Sequence, residues 1–146
     1  MIRLRIDRTL PVPPERVWRA LTDPVALAAW FWPAHFHTTA AVDARPGGRF
    51  RIDGPGGPGG GIGVTGEYAV VESPSRLVFT WRWDGEDGQT LVTIELSGVE
   101  GGTALTLTHE RFASDPDRDN HYIGWSDCLA RLPAFVTPRR RLGSST

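Results

Sequence analysis

Lysine is missing from this sequence of 146 residues: all 16 basic side chains are arginine. Covalent chemistry through a lysine imine is therefore excluded. Cysteine occurs once, as Cys128, so no disulfide can close within the chain. A net charge of -1 and a pI near 6.4 supply no broad attraction to nucleic acid or to a membrane surface, and apart from Arg139 to Arg141 the basic residues are scattered. No nucleic-acid partner is expected. No segment approaches the roughly 20 consecutive apolar residues of a membrane-spanning helix. Met1 is followed by Ile-Arg-Leu-Arg rather than by a basic stretch and an apolar run, so a cytoplasmic location is expected. The length suits one domain, expected over residues 1–137, with a flexible basic tail over 138–146.

What the sequence does contain is organised around Asp115 to Val136. Tyr122, Trp125, Leu129, Leu132 and Val136 recur at steps of three and four, the spacing of one helical stripe, and Ile123, Cys128 and Phe135 widen it. Asp115 before Pro116 predicts the helix start. Pro133 is expected to bend the last turns and Pro138 to end them.

Upstream, Ile2, Leu4 and Ile6 alternate with Arg3, Arg5 and Asp7 as a strand with one buried face. Pro14 and the Asp23-Pro24 pair then open two short helices. Phe36 to Val42 and Phe50 with Ile52 predict two further strands. Turn clusters at Ser73 to Ser75, Asp84 to Gly88 and Gly98 to Gly102 cut the remainder into four more. Their inward positions are Gly66, Tyr68 and Val70; Leu77, Phe79, Trp81 and Trp83; Val92, Ile94 and Leu96; and Leu105, Leu107 and His109. Thr80, Thr93 and Thr106 belong to the outer face. The order is strand, two short helices, six strands, long helix: an α+β layout.

Residues 54–63, GPGGPGGGIG, lack the Gly-Lys-Ser or Gly-Lys-Thr ending of a phosphate-binding loop and read as a hairpin connection. Trp30-Phe31-Trp32-Pro33 is too apolar for an ordinary surface loop and either plugs the core or lines an opening.

Several local signatures occur in a consistent order. They are Pro13-Pro14-Glu15-Arg16-Val17-Trp18 with Leu21-Thr22-Asp23-Pro24, Trp30-Phe31, Gly66-Glu67-Tyr68, Arg76-Leu77-Val78-Phe79-Thr80-Trp81, Leu105-Thr106-Leu107-Thr108-His109, and Gly124-Trp125. Together they resemble the START-like or SRPBCC superfamily, and within it the branch named for homologues of the Hsp90 ATPase activator. The resemblance implies a helix-grip fold, in which a curved antiparallel sheet wraps a long C-terminal helix. It covers Ile6 to Phe135. Pro133 and the long proline-glycine run depart from the pattern. The eukaryotic chaperone activators also carry a separate N-terminal domain to which nothing here corresponds.

Three functions follow as expectations. The first is binding of a hydrophobic or aromatic small molecule between sheet and helix, because Gly66, Gly124 and Cys128 put small groups where bulky ones would be needed to fill the space. Trp30, Phe36, Phe50, Tyr68, Phe79, Trp81, Trp125, Cys128 and Leu129 are expected at that site. The second is a chaperone-partner module, and the third a cyclase- or isomerase-like enzyme using His109 as acid or base. His109 is inward by alternation, either satisfied on a backbone carbonyl or serving as a polar anchor at the cavity mouth. Cys128 reads as a small buried hydrophobe rather than a nucleophile. His35 and His37 share a predicted strand face but lack a third ligand nearby, so no metal and no cofactor is expected. Asp117 lies four residues before His121, as in a local ion pair. The assembly is expected to be a monomer or homodimer.

Overall fold

The computed structural model describes residues 2–138. The chain runs β1 (Ile2–Leu10), α1 (Pro14–Thr22), α2 (Pro24–Trp30), β2 (Thr39–Val42), β3 (Arg49–Gly54), β4 (Ile62–Glu72), β5 (Arg76–Trp83), β6 (Thr90–Val99), β7 (Gly102–Phe112) and α3 (Asp115–Val136). The strands form one sheet of seven in the order β1-β7-β6-β5-β4-β3-β2, antiparallel at each pairing. Hairpins make most neighbours sequential. The exception is β1, which reaches β7 at the far edge because the two short helices carry the chain across the concave side to β2. The basic-tail expectation lies outside the described residues apart from Pro138.

Local chemistry sets the helix ends. Asp23 caps α2 by accepting from the Ala26 amide at 2.9 Å, as the Asp-Pro pair predicts. At α3 the cap lies one residue earlier than Asp115, where Ser114 Oγ accepts from the Asp117 amide at 3.2 Å. Asp115 and Asp117 occupy the first turn, where carboxylates suit the positive end of the helix dipole. The helix runs on past Pro133 to Val136.

The covered stripe of α3 is narrower than its apolar spacing predicts. Trp125, Cys128, Leu129, Leu132 and Val136 are buried, whereas Tyr122, Ile123 and Phe135 are 47%, 68% and 42% exposed. The helix lies over β1 and β7 and touches α1 and α2 on the same side, leaving its outer face uncovered.

Two more expectations change in the sheet. A register shift between Tyr68 and Val70 pairs Val70 with Val78 and Val71 with Leu77, so Val71 rather than Val70 packs against the core. The stretch after Pro33 is not strand from Phe36. Ala34–Phe36 form one 3₁₀ turn, and His37 adopts a left-handed φ of 53° before β2 begins at Thr39. His35 and His37 therefore do not share a strand face, and His35 instead meets the Phe36 ring edge-on at 4.9 Å.

The core is continuous from Leu4 and Ile6 through Leu77, Ile94 and Leu107 to Leu129 and Leu132. Thr80, Thr93 and Thr106 are half-buried on the opposite face, where Thr106 donates to Asp7 and Thr80 accepts from the Glu67 amide. Leu132 is 0% exposed at the seam between helix and sheet. Truncation in Leu132→Ala should cost roughly 2–5 kcal/mol, read as a lower denaturant midpoint in equilibrium unfolding.

Candidate functional site

Three distant segments meet at the N-terminal half of α3. Helical spacing places Asn120, His121, Gly124, Trp125 and Cys128 on neighbouring turns of one face. The end of β5 brings Trp81 and Trp83, and the chain leaving α2 brings Phe31 and Trp32. Between them lies an almost wholly apolar cavity of about 260 Å³, with Asn120 and His121 as its polar members. Gly124 lines its open side, where a Cβ would meet nothing within 4 Å.

The Trp30 to Pro33 segment is both plug and lining. Trp30, Phe31 and Trp32 are buried. Phe31 meets Trp125 edge-on at 5.7 Å, and Trp32 lies nearly parallel to Trp83 at 6.2 Å. Arg131 holds the segment in place. Its Nε donates to the Trp30 carbonyl at 3.0 Å and its Nη2 to the Phe31 carbonyl at 2.7 Å, while Asp127 accepts from Nη1 at 2.7 Å. Carbonyls left open at the end of α2 thereby gain a charge-assisted donor. The Asp127–Arg131 spacing is visible in the sequence, but its attachment to α2 depends on chain elements 100 residues apart.

The indole N–H groups anchor the aromatic walls. Trp30 Nε1 donates to the Ala20 carbonyl at 2.9 Å. Trp83 Nε1 donates to His121 Nε2 at 2.9 Å, and His121 Nδ1 lies 2.8 Å from the Asp117 carbonyl, so Nδ1 carries the proton. Trp125 Nε1 donates to His109 Nδ1 at 2.9 Å. That leaves Nε2 of His109 to donate to Thr90 Oγ1, whose hydroxyl in turn donates to the Trp81 carbonyl at 3.3 Å.

His109 is 0% exposed and stands behind Trp125, outside the cavity lining. Neither of the two roles expected for it describes its position, because a tryptophan and a threonine occupy its two nitrogens. Burial, and secondarily the neighbouring His121, push its pKa from 6.5 down to about 3. Burial also pushes the Cys128 thiol up to about 12, with Arg131 opposing, so a thiol rather than a thiolate faces the cavity at neutral pH.

The other expected wall residues divide between two places. Trp81, Trp125 and Cys128 line the cavity. Trp30, Phe50, Tyr68, Phe79 and Leu129 surround a deeper void of only about 30 Å³, which Trp81 and Trp125 also border. Phe36 lines neither, packing on Trp32 at 5.8 Å beside the glycine-rich loop. Gly66 opens no space, because a Cβ there would collide with the Phe50 ring and the Thr80 carbonyl. Trp83 shares the inward alternation of Trp81 and was legible on that ground as a wall. Asn120 and His121 are polar and so fall outside the hydrophobic stripe, although His121 lies four residues before Trp125 on the same face.

The seven-stranded sheet with its long C-terminal helix and two short helices before β2 defines a helix-grip protein of the START-like class. Residues 11–137 match the family described as Activator of Hsp90 ATPase homolog 1-like protein, and the chain belongs to that family. A protein from Chromobacterium violaceum of solved structure is 31% identical, with a TM-score of 0.82 over 94% of this chain and 98% of that one. DynU16, from the dynemicin biosynthetic locus, is 26% identical with a TM-score of 0.77, covering 92% of this chain and 46% of that one. CalU16 from Micromonospora echinospora is 28% identical with a TM-score of 0.72, covering 93% of this chain and 76% of that one. No curated protein matches the sequence.

The buried neutral His109 has a pH consequence. An unfolded chain protonates this ring near 6.5 and the folded one only near 3, so below 6.5 the unfolded state binds more protons. Stability is complete above that value and falls as the pH drops through the window. Asp7 and Asp84, whose pKa values are lowered from 3.8 chiefly by hydrogen bonds from Arg5 and Arg51, lose their contribution only at more acid pH. Melting temperatures measured against pH should decline through the upper part of the His109 window in the native protein and flatten there in His109→Gln.

Proposed function

We propose that the protein binds a hydrophobic, largely aromatic small molecule in the cavity between β5, the segment after α2, and α3. The observation that carries this reading is the cavity itself: about 260 Å³ walled by Phe31, Trp32, Trp81, Trp83 and Trp125. Rigid aromatic walls contact a flat ligand over a large area at low entropic cost. The volume lies just below the range of about 300–1,000 Å³ usual for drug-sized ligands, which suits one or two fused rings. The origin of one solved relative in a biosynthetic locus fits a setting in which small molecules are handled.

Catalysis is not part of the proposal. His109 is fully engaged behind Trp125, and Cys128 is held as a thiol, so neither offers a nucleophile or a base to a bound molecule. Fold class supplies no chemistry by itself. Tyr122, Ile123 and Phe135 stand exposed on the outer face of α3, but none of them lines the cavity on which this reading rests.

A naphthalene-type probe should quench tryptophan emission and raise the melting temperature by mass action. Gly124 is the position at which to block it, since a side chain there enters open space, whereas Cys128 is already 5% exposed and packed. Gly124→Leu should abolish probe binding while leaving the protein folded and somewhat more stable, as replacing a helical glycine gains about 0.5–1 kcal/mol. Unchanged probe affinity in a folded Gly124→Leu protein would exclude this cavity as the binding site.

A further inference from the structure

Most polar side-chain groups on the cavity wall are already committed to the protein. His121 gives its Nδ1 proton to the Asp117 carbonyl and takes the Trp83 N–H on Nε2, so both of its nitrogens are used. The Trp125 N–H is held by His109, and the Trp81 N–H is closed even to water. The Cys128 sulfur accepts from Arg131 Nη2 at 3.8 Å, and its S–H is a weak donor. Two strong groups remain among the described residues. One is the indole N–H of Trp32, on a ring that is 8% exposed, and it can only donate. The other is the amide of Asn120, which lines the cavity and stands exposed at its open end. An amide both donates and accepts.

Helical spacing sets Asn120 one turn before Gly124 on the same face, and Gly124 leaves the backbone bare between Asn120 and Cys128. The charges on this part of α3 are paired among themselves. Arg118 lies 3.0 Å from Asp119, Arg131 lies 2.7 Å from Asp127, and Asp117 stands 3.5 Å from the His121 ring. No arginine lines the cavity among the described residues. A charged ligand group would therefore give up its water without gaining a free counterion, whereas a neutral hydroxyl needs one donor and one acceptor.

We infer that the ligand is a phenol: its ring system lies against Trp83 and Trp125 beside the bare backbone of Gly124, and its hydroxyl is met by the Asn120 amide at the mouth. This rests on the binding reading above and adds to it Asn120 as the specificity-determining residue.

Four naphthalenes substituted at one position test it: 2-naphthol, 2-methylnaphthalene, 2-naphthoate and 2-naphthylmethylamine. The naphthol and the hydrocarbon are nearly the same shape, and burial alone favours the hydrocarbon. The naphthol should nevertheless bind the native protein about fivefold tighter, a typical return for a hydrogen bond, with both charged probes weaker. In ¹⁵N spectra of the native protein the Asn120 side-chain amide should shift with the naphthol and not with the hydrocarbon. Asn120→Ala should fold, since the position is exposed and alanine is the better helix former, and it should bring the naphthol-to-hydrocarbon ratio to one or below while leaving hydrocarbon affinity unchanged. Equal binding of naphthol and hydrocarbon by the native protein, with no Asn120 shift, overturns the phenol assignment and leaves the cavity reading standing. A ratio retained in Asn120→Ala and lost in Trp32→Phe moves the contact to Trp32 and overturns the assignment to Asn120. Tightest binding by either charged probe replaces the neutral hydroxyl and overturns it equally, and no binding of any probe removes the cavity reading along with it.

Discussion

The hydrogen bond from Trp125 to His109 is the constraint on which the arrangement of this protein depends. It joins the long helix to the last strand in the buried interior, with Thr90 on the far nitrogen of His109 and His121 beside its ring. A helix resting on a sheet through apolar contacts alone can rotate by a fraction of a turn at modest cost. A directional bond between an indole and a neutral imidazole fixes the rotation. With Trp125 so placed, Gly124 and Cys128 face the cavity, and Tyr122 and Ile123 are left in solvent. The same bond obliges His109 to stay uncharged, because Nδ1 can accept only while deprotonated. Burial enforces that state.

The open cavity follows from the stiffness of the side chains around it. Aromatic rings fill volume in flat units, and those of Trp81, Trp83 and Trp125 are each held by contacts or hydrogen bonds that prevent collapse into the gap left by Gly124. Arg131 adds the third side by securing the carbonyls of Trp30 and Phe31. Its charge is satisfied there and by Asp127, so the guanidinium acts as a clamp on the segment. The deeper space beneath Trp81 shows the opposite outcome: around Phe50, Tyr68 and Phe79 the rings interlock edge to face and leave about 30 Å³.

Family membership and architecture agree, since a match over residues 11–137 and a TM-score of 0.82 to a solved relative place the whole sheet and helix in one class. Within such a fold the cavity depends on a few positions: the size of residue 124, the aromatic pair at the end of β5, and the residues after α2. Function therefore has to be argued from those side chains rather than from the architecture.

The sequence by itself determined the elements and their faces. Alternation in β5 to β7 and proline and Asp-Pro signals at the short helices depend on neighbours a few residues apart, and so did the bounds of α3, from Asp115 to Val136. Local errors had local causes: a register shift moved Val71 inward in place of Val70, and a 3₁₀ turn replaced strand at Phe36. The site was legible only in part. Trp81, Trp125 and Cys128 could be anticipated because each lies on an inward-facing period, and Gly124 because it puts a small group beside them. Tertiary structure alone decided that His109 is spent on Trp125 and Thr90, that Phe50 fills the space above Gly66, and that Trp83 meets His121. The reason is geometric: periodicity assigns a side chain to a face, but whether two faces meet in contact or leave a gap depends on the distance and rotation between elements far apart in the chain, which no local pattern encodes.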